Sequence, residues 1–398
     1  FEKALSMAPE YARALTGLAD TYSLMVGRVP ASEGFEEARS YTDRALLLDP
    51  ECAEAHATLG YILWRSQGDV HGAEREFLHA IELNPNCAQA QEWYANLLVH
   101  TGRIEEACQQ SENALSLDPL SAPLILTYAG SLHAARRLDE AVDQYQRALE
   151  LNPELEAAWW GHWYSLAAAW DLDRAEAVTR EVVAKYPDNA CAYVNLSTCV
   201  MNRGRLEEGL AAIHKALELE PEPRRAYVLM HAGARFYFAR DFEAAIDFLG
   251  QALERDPSMN FAHLLTAKCH MYKPRPCFEI ALEEIAASER IYGGADPFWQ
   301  VHAHMDRGKI YARRGETDKA EQELAILMRS SGRGGNRRIA VAGILAELGR
   351  MEEAMDWLEA AATAREAHIA SLRMTPDADI MRPHPRFQAL LRRVGLAD

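Results

Sequence analysis

The sequence predicts an all-α fold, a right-handed superhelical solenoid of stacked helix-turn-helix units. Two observations carry this. A proline recurs at Pro50, Pro85, Pro119, Pro153, Pro187, Pro221 and Pro257, with spacings of 35, 34, 34, 34, 34 and 36 residues. Small residues recur at fixed offsets between those prolines: the Ala88–Pro119 segment places Gly102, Ala107 and Ala114 where the next segment has matching positions filled by Ala141 and Ala148. Small side chains let two helices approach, larger ones such as Tyr145 fill the remaining gap, and proline ends the second helix because it cannot continue it.

Composition sets limits on function. The 398 residues are 49% hydrophobic and 25% charged, with 42 Lys+Arg against 59 Asp+Glu for a net charge of −17. That sign repels phosphate backbones, so no directly bound nucleic acid is expected. No run approaches ~18 uninterrupted apolar residues, so no membrane span is expected. Cys52, Cys87, Cys108, Cys191, Cys199, Cys269 and Cys277 are odd in number, scattered and without a C-x-x-C pair. They read as free thiols in a reducing compartment, which places the chain in the cytoplasm.

The elements follow in order. Residues 1–11, with Phe1, Ala4 and Pro9, read as the second helix of a truncated repeat, so the chain is read as a piece of a longer protein. Residues 12–257 hold seven units, the first enlarged by a loop over Val26 to Phe35 containing Gly27, Pro30 and Gly34. Residues 258–366 hold three degenerate units, marked by Ala267, Ala281 and Ile285, then Gly308, Tyr311, Gly315, Ala320 and Leu324, then Ala342, Gly349, Ala354, Leu358 and Ala361. Ser330 to Arg338, rich in Gly and Arg, reads as a loop. Residues 367–398 read as a C-terminal capping segment whose stretch from His384 to Arg393 forms a short amphipathic helix.

The periodic proline and internal alanines resemble the tetratricopeptide repeat over nearly the whole chain. Three stretches are similar, more narrowly, to the C-terminal repeat region of large bacterial signalling proteins: Leu15 to Tyr22 with its inserted loop, Ala53 to Pro85 containing Ala73-Glu74-Arg75-Glu76-Phe77, and Pro383 to Leu396. In such proteins the region follows a winged-helix, nucleotide-cyclase or Ser/Thr kinase domain. The resemblance implies a protein-protein interaction scaffold acting as the regulatory or sensor part of a signalling or transcription-regulatory protein. The alternative it leaves open is an effector-binding domain, for a peptide or small apolar ligand, that controls an attached catalytic domain.

Stacked helix pairs present a concave surface lined mainly by the first helix of each unit. Numbering each unit from the residue 31 before its terminal proline, positions 2, 5, 9 and 12 face that surface. They include Trp160, Tyr164, Thr198, Met201, Tyr227, Met230, Tyr237 and Phe261, an aromatic and Met-rich set read as a partner-binding groove for a protein or peptide segment, of another chain or of the same polypeptide. The other reading packs these residues between neighbouring first helices. Position 5 is Ala57, Glu92, Leu126, Trp160, Val194 and Met230, so the lysine of a carboxylate-clamping repeat is missing there. Position 6 carries an isolated Asn195 beside Thr127, Gly161 and His231. Trp163 stands where a small residue is usual. It is expected to push the helices apart or turn outward, or to join Trp159, Trp160 and Trp170 in gripping a ligand.

Nothing in the sequence points to catalysis, a metal or a cofactor. No H-E-x-x-H, G-x-S-x-G, G-x-x-x-x-G-K or G-x-G-x-x-G occurs, and the Gly332–Gly335 run lacks the following Lys-Ser/Thr of a phosphate loop. His302 and His304 sit two residues apart and point to different sides of a helix. Glu105-Glu106, Glu207-Glu208 and Glu352-Glu353 recur at one repeat position, as first-turn acids favoured by the helix dipole. Arg386, Arg392 and Arg393 read as a solvated cap face.

Overall fold

The computed structural model describes every residue except 9, 25–30, 154, 170–171, 221–224, 293–296, 330–335 and 397–398. Pro9, Gly27, Pro30, Trp170, Pro221 and the Gly332–Gly335 run lie outside the described residues. Those described form helices and no strand. They divide into two compact units, Phe1–Gly161 and His162–Asp398.

Unit 1 contains α1 (Glu2–Met7), α2 (Ala12–Leu24), α3 (Ala31–Leu48), α4 (Ala53–Gln67), α5 (Val70–Leu83), α6 (Ala88–Thr101), α7 (Ile104–Leu117), α8 (Ala122–Ala134) and α9 (Leu138–Leu151). The helix α10 (Glu156–Ala169) runs through the dividing point. Unit 2 continues with α11 (Leu172–Lys185), α12 (Ala190–Asn202), α13 (Leu206–Leu219), α14 (Arg225–Phe238), α15 (Phe242–Arg255), α16 (Asn260–Tyr272), α17 (Phe278–Tyr292), α18 (Pro297–Arg313), α19 (Thr317–Arg329), α20 (Arg337–Glu347) and α21 (Met351–Thr363). Two short 3-10 helices, Ala367–Ser371 and Pro376–Ala378, then lead to α22 (Pro385–Arg393).

Within each unit, successive helices pair as hairpins. The second helix of a pair packs on the next first helix, and first helices also touch first helices, as α4 touches α6 and α16 touches α18. The small residues act as the spacing implied. A Cβ on Gly60 would lie 2.9 Å from the Phe77 ring, and one on Gly161 would lie 2.3 Å from the Tyr145 ring. The turn inside several of the hairpins uses a left-handed residue. Gly102 (φ 81) and Gly204 (φ 81) supply it without a Cβ penalty, whereas Arg136 (φ 63) and Arg240 (φ 64) adopt it despite one.

A polar stitch joins the repeats. In four units the side chain at position 4 of the first helix reaches the carbonyl of the preceding repeat-ending proline. His56 Nε2 lies 2.9 Å from Pro50 O, Gln91 Nε2 donates to Pro85 O at 2.6 Å, Trp159 Nε1 to Pro153 O at 2.8 Å, and His263 Nε2 lies 3.1 Å from Pro257 O. Where position 4 is Ile125, Arg147 from α9 donates to Pro119 O instead, at 2.5 Å. The Gln91→Leu variant is expected to lose about 1–2 kcal/mol in urea unfolding, because it strands that carbonyl at a packed joint. An unchanged midpoint would deny the stitch any stabilising role.

The structure corrects two boundaries. Ala31 to Phe35 form the first turns of α3 rather than loop, and Phe35 is buried with Ala38 and Ile62. Arg337 and Arg338 open α20, where Arg338 Nη1 pairs with Glu366 at 2.9 Å. Arg386 stays partly exposed on the cap face, and Arg392 and Arg393 are exposed there. The Arg386 guanidinium meets Glu352 at 2.9 Å, Asp356 at 2.7 Å and Glu359 at 3.0 Å on α21. The paired acids do begin helices, and the last of each pair meets an arginine at the N-cap: Arg103 with Glu106, Arg205 with Glu208, Arg350 with Glu353.

Candidate functional site

The predicted groove residues differ in exposure. Trp160 belongs to unit 1 and is 37% exposed. In unit 2, Met201, Met230, Tyr237 and Thr198 are buried, while Tyr164, Tyr227 and Phe261 are half-buried. Met201 fills the space left by Gly209, whose Cβ would fall 2.1 Å from the Met201 side chain. Thr198 accepts a hydrogen bond from Arg235 of α14, a buried cation that also lies 5.9 Å from the Phe238 ring. Burial lowers the Arg235 guanidinium to about 10. Phe261 lies 6.2 Å from the Trp299 ring.

Trp163 does not turn outward. It is buried with Ala167 against Ala370, a residue of the C-terminal segment. Trp159 faces away into unit 1, with its indole N–H on Pro153. Tyr164 stands 5.7 Å from the His368 ring of the same C-terminal segment.

That segment is the feature sequence reasoning missed. Residues 367–382 were expected only to lead into a cap. They lie instead against the first helices of unit 2. Ile369, Ala370, Leu372, Ala378 and Met381 are all buried. At the centre of the contact is Asp377. Its Oδ1 accepts from Lys309 Nζ at 2.6 Å, Tyr272 Oη at 2.9 Å and Lys268 Nζ at 3.1 Å. Its Oδ2 accepts from Lys268 Nζ at 2.9 Å, Tyr237 Oη at 3.0 Å and Thr375 Oγ1 at 3.1 Å. Lys268 Nζ also pairs with the buried Asp306 at 2.9 Å. Nearer the rim, Arg240 Nη2 meets Asp379 at 2.6 Å, and Arg382 Nε meets the same carboxylate at 2.6 Å.

The repeat geometry builds this seat. Lys268 occupies position 9 of its first helix. His304 pairs with Glu323 at 2.5 Å as His263 pairs with Glu284 at 2.6 Å, which makes His304 position 4 and Lys309 position 9 of the following unit. Two successive units therefore aim a lysine at the same point. Tyr237 and Tyr272, at the ends of α14 and α16, close it from the other side. Gly343 of α20 leaves the room that the Lys309 stem needs, since a Cβ there would sit 2.5 Å from Lys309 Cε.

The electrostatics agree. Burial alone would raise the Asp377 carboxyl, but Lys268 and Lys309 outweigh it and hold the group well below the carboxylate range. Burial disfavours the Lys268 ammonium, yet Asp306 and Asp377 overrule it and raise its value. Asp306 is raised, because burial exceeds what Lys268 and Lys309 return. Burial also pushes both tyrosines well above their ordinary value, so they stay donors.

Two histidines flank the seat. Burial, helped by the charge of Lys268, lowers His368 to about 4. Burial, the neighbouring His368 and Lys268 hold His302 well below 6.5, with Lys309 acting the same way and Asp377 opposing. The unfolded chain, with histidines near 6.5, therefore binds more protons than the folded one between about pH 4 and 6.5, and stability falls as pH drops through that window. Each such histidine contributes up to about 1.4 kcal/mol per pH unit. Urea midpoints of wild type and His368→Gln between pH 4.5 and 7 are expected to show the variant with the flatter dependence. Parallel curves would contradict this assignment.

No group among the described residues gathers three or more His, Cys, Asp or Glu in a metal-holding arrangement. His302 and His304 separate as expected, one toward His368 and the other toward Glu323. Burial raises the Cys87 and Cys199 thiols to about 11 and Cys269 to about 12, which disfavours the nucleophilic thiolate. Among the described residues no helix is long and apolar enough to cross a membrane.

Comparison with known proteins agrees with the helix-pair architecture. Two tetratricopeptide-repeat family profiles match, one over residues 31–78, 65–122 and 305–368, the other over 166–232. Together they span more than half of the chain, and the chain belongs to the tetratricopeptide-repeat family. Such repeats make it a protein-interaction scaffold. The photosystem I assembly protein Ycf3 of Acaryochloris marina is 28% identical over 136 residues, covering 32% of this chain and 81% of that protein. A tetratricopeptide repeat protein from Parabacteroides merdae is 17% identical, covering 65% of this chain and 99% of its own, with a TM-score of 0.43. YrrB, described as a repeat protein with an unusual peptide-binding site, is 24% identical, covering 47% of this chain and 95% of its own, with a TM-score of 0.28.

Proposed function

We propose that the chain is the segment-recognising, regulatory region of a cytoplasmic signalling or transcription-regulatory protein of bacteria, working through the first-helix face of unit 2. The observation that supports this is the seat just described. Helices α14, α16 and α18 each give a donor to a single carboxylate carried by a non-repeat segment. A surface that holds one such segment is chemically equipped to recognise another. The half-buried Tyr227 and Phe261 extend that face beside the seat.

Photocrosslinking tests the reading. A photoreactive residue at Tyr227 or Phe261 is expected to capture a signalling partner that the same residue at Glu218, exposed on the second helix α13, does not. Equal capture from both positions, or none from either, contradicts it. The likeness to Ycf3 favours a second reading, an assembly factor that binds subunits transiently. In that case the captured partner is a subunit of a larger complex and is released when the complex is complete.

A further inference from the structure

We propose that the seat formed by Lys268, Lys309, Tyr237 and Tyr272 is a receptor for an acidic peptide segment, and that residues 367–382 occupy it in cis, so that a partner segment must displace the chain's own tail. This rests on the scaffold reading above and specifies both the group recognised and the competitor. Apart from Thr375, every donor to Asp377 comes from the repeats, so the anion site belongs to the groove and not to the tail. Without Asp377 the two buried lysines face a single carboxylate, Asp306, and an uncompensated buried cation is costly. The groove therefore calls for an anion.

Leu372, Ala378 and Met381 pack into one core with α20, α21 and α22, so what the seat itself reads is the carboxylate of an aspartate held in a tight turn. The tail departs from α21 through Arg365, a non-glycine residue with φ 52. Tethering gives the tail an effective concentration in the millimolar range, so in the resting chain it outcompetes a free segment of similar chemistry.

The test uses the full chain bearing Asp377→Ala and a fluorescein-labelled synthetic peptide spanning residues 366–383. The peptide is expected to bind the variant at least about tenfold more tightly than the wild-type chain, because the tethered competitor has lost its anchor. A peptide with Asp377→Asn is expected to bind the variant at least about tenfold more weakly than the parent peptide, because it lacks the charge that the lysines require. Hydrogen exchange of residues 367–382 should rise in the variant. Three results overturn the proposal: tail amides as protected in the variant as in wild type, peptide binding indifferent to the aspartate, or loss of cooperative melting, which would make Asp377 a core buttress. Peptide binding reports the seat alone. Failure of photocrosslinking beside a positive peptide result would therefore strike the scaffold reading and not the seat.

Discussion

Lys309→Ala is expected to destabilise unit 2 by about 3–5 kcal/mol, among the largest effects of any single substitution in the chain. Lys309 is 1% exposed and its ammonium lies 2.6 Å from Asp377. Removing it leaves Asp306, which is fully buried, and the mostly buried Asp377 sharing Lys268 alone. The stranded negative charge, and not the lost attraction, dominates the cost. Lys309→Met keeps the stem over Gly343 and removes only the charge. It should therefore recover the packing part of the loss and none of the electrostatic part. Chemical unfolding of the three chains checks this.

Phe387→Ala is expected to cost a further class of stability, about 3–5 kcal/mol, through a large-to-small cavity. Phe387 is buried at the end of the stack, in one core with Met355, Leu358, Leu390 and Leu391. It anchors α22, which Arg386 also ties to α21 through three carboxylates. A repeat array needs its last apolar face covered. The variant should therefore unfold at lower urea and also self-associate, as sedimentation would show. A variant as stable and monomeric as wild type would mean that α22 covers nothing that matters.

These two predictions divide along what the sequence reveals. The cap was legible, because Phe387, Leu390 and Leu391 form a one-sided apolar pattern just after a His-Pro start signal. The helix pairs were legible for the same reason: proline and small residues act locally, and their physics repeats with the chain. The seat was not. Position 5 was searched for a lysine and gave none, while the lysines stand at position 9 of two later units. Lys268 stands at one of the surface-facing positions, but its partner Asp377 lies 109 residues further on. Lys309 lies in a unit without its terminal proline, and only the repeated histidine-glutamate pair, His263–Glu284 and His304–Glu323, fixes its register. Its partner, Asp377, lies 68 residues further on in a segment with no helical period.

What lies against the aromatic residues was hidden for a related reason. Alternation along one helix says which face a residue takes but not what covers that face. Trp163 and Tyr164 read as a ligand grip or a packing fault because Ala370 and His368, which meet them, are about 200 residues away in sequence. Conversely, the position-4 stitch was within reach of sequence reasoning. Each of His56, Gln91, Trp159 and His263 carries an N–H and stands six residues after a repeat-ending proline.

The central claim is that unit 2 holds its own C-terminal segment through a carboxylate between two lysines. A double-mutant cycle on Lys309→Met and Asp377→Asn tests it most directly. Each change removes one charge, and the pair removes the interaction. The account predicts a coupling energy of about 2 kcal/mol or more, with the double variant more stable than the sum of the single losses implies. Additivity within about 0.5 kcal/mol would mean that the two groups do not meet in the folded protein, and would contradict the account.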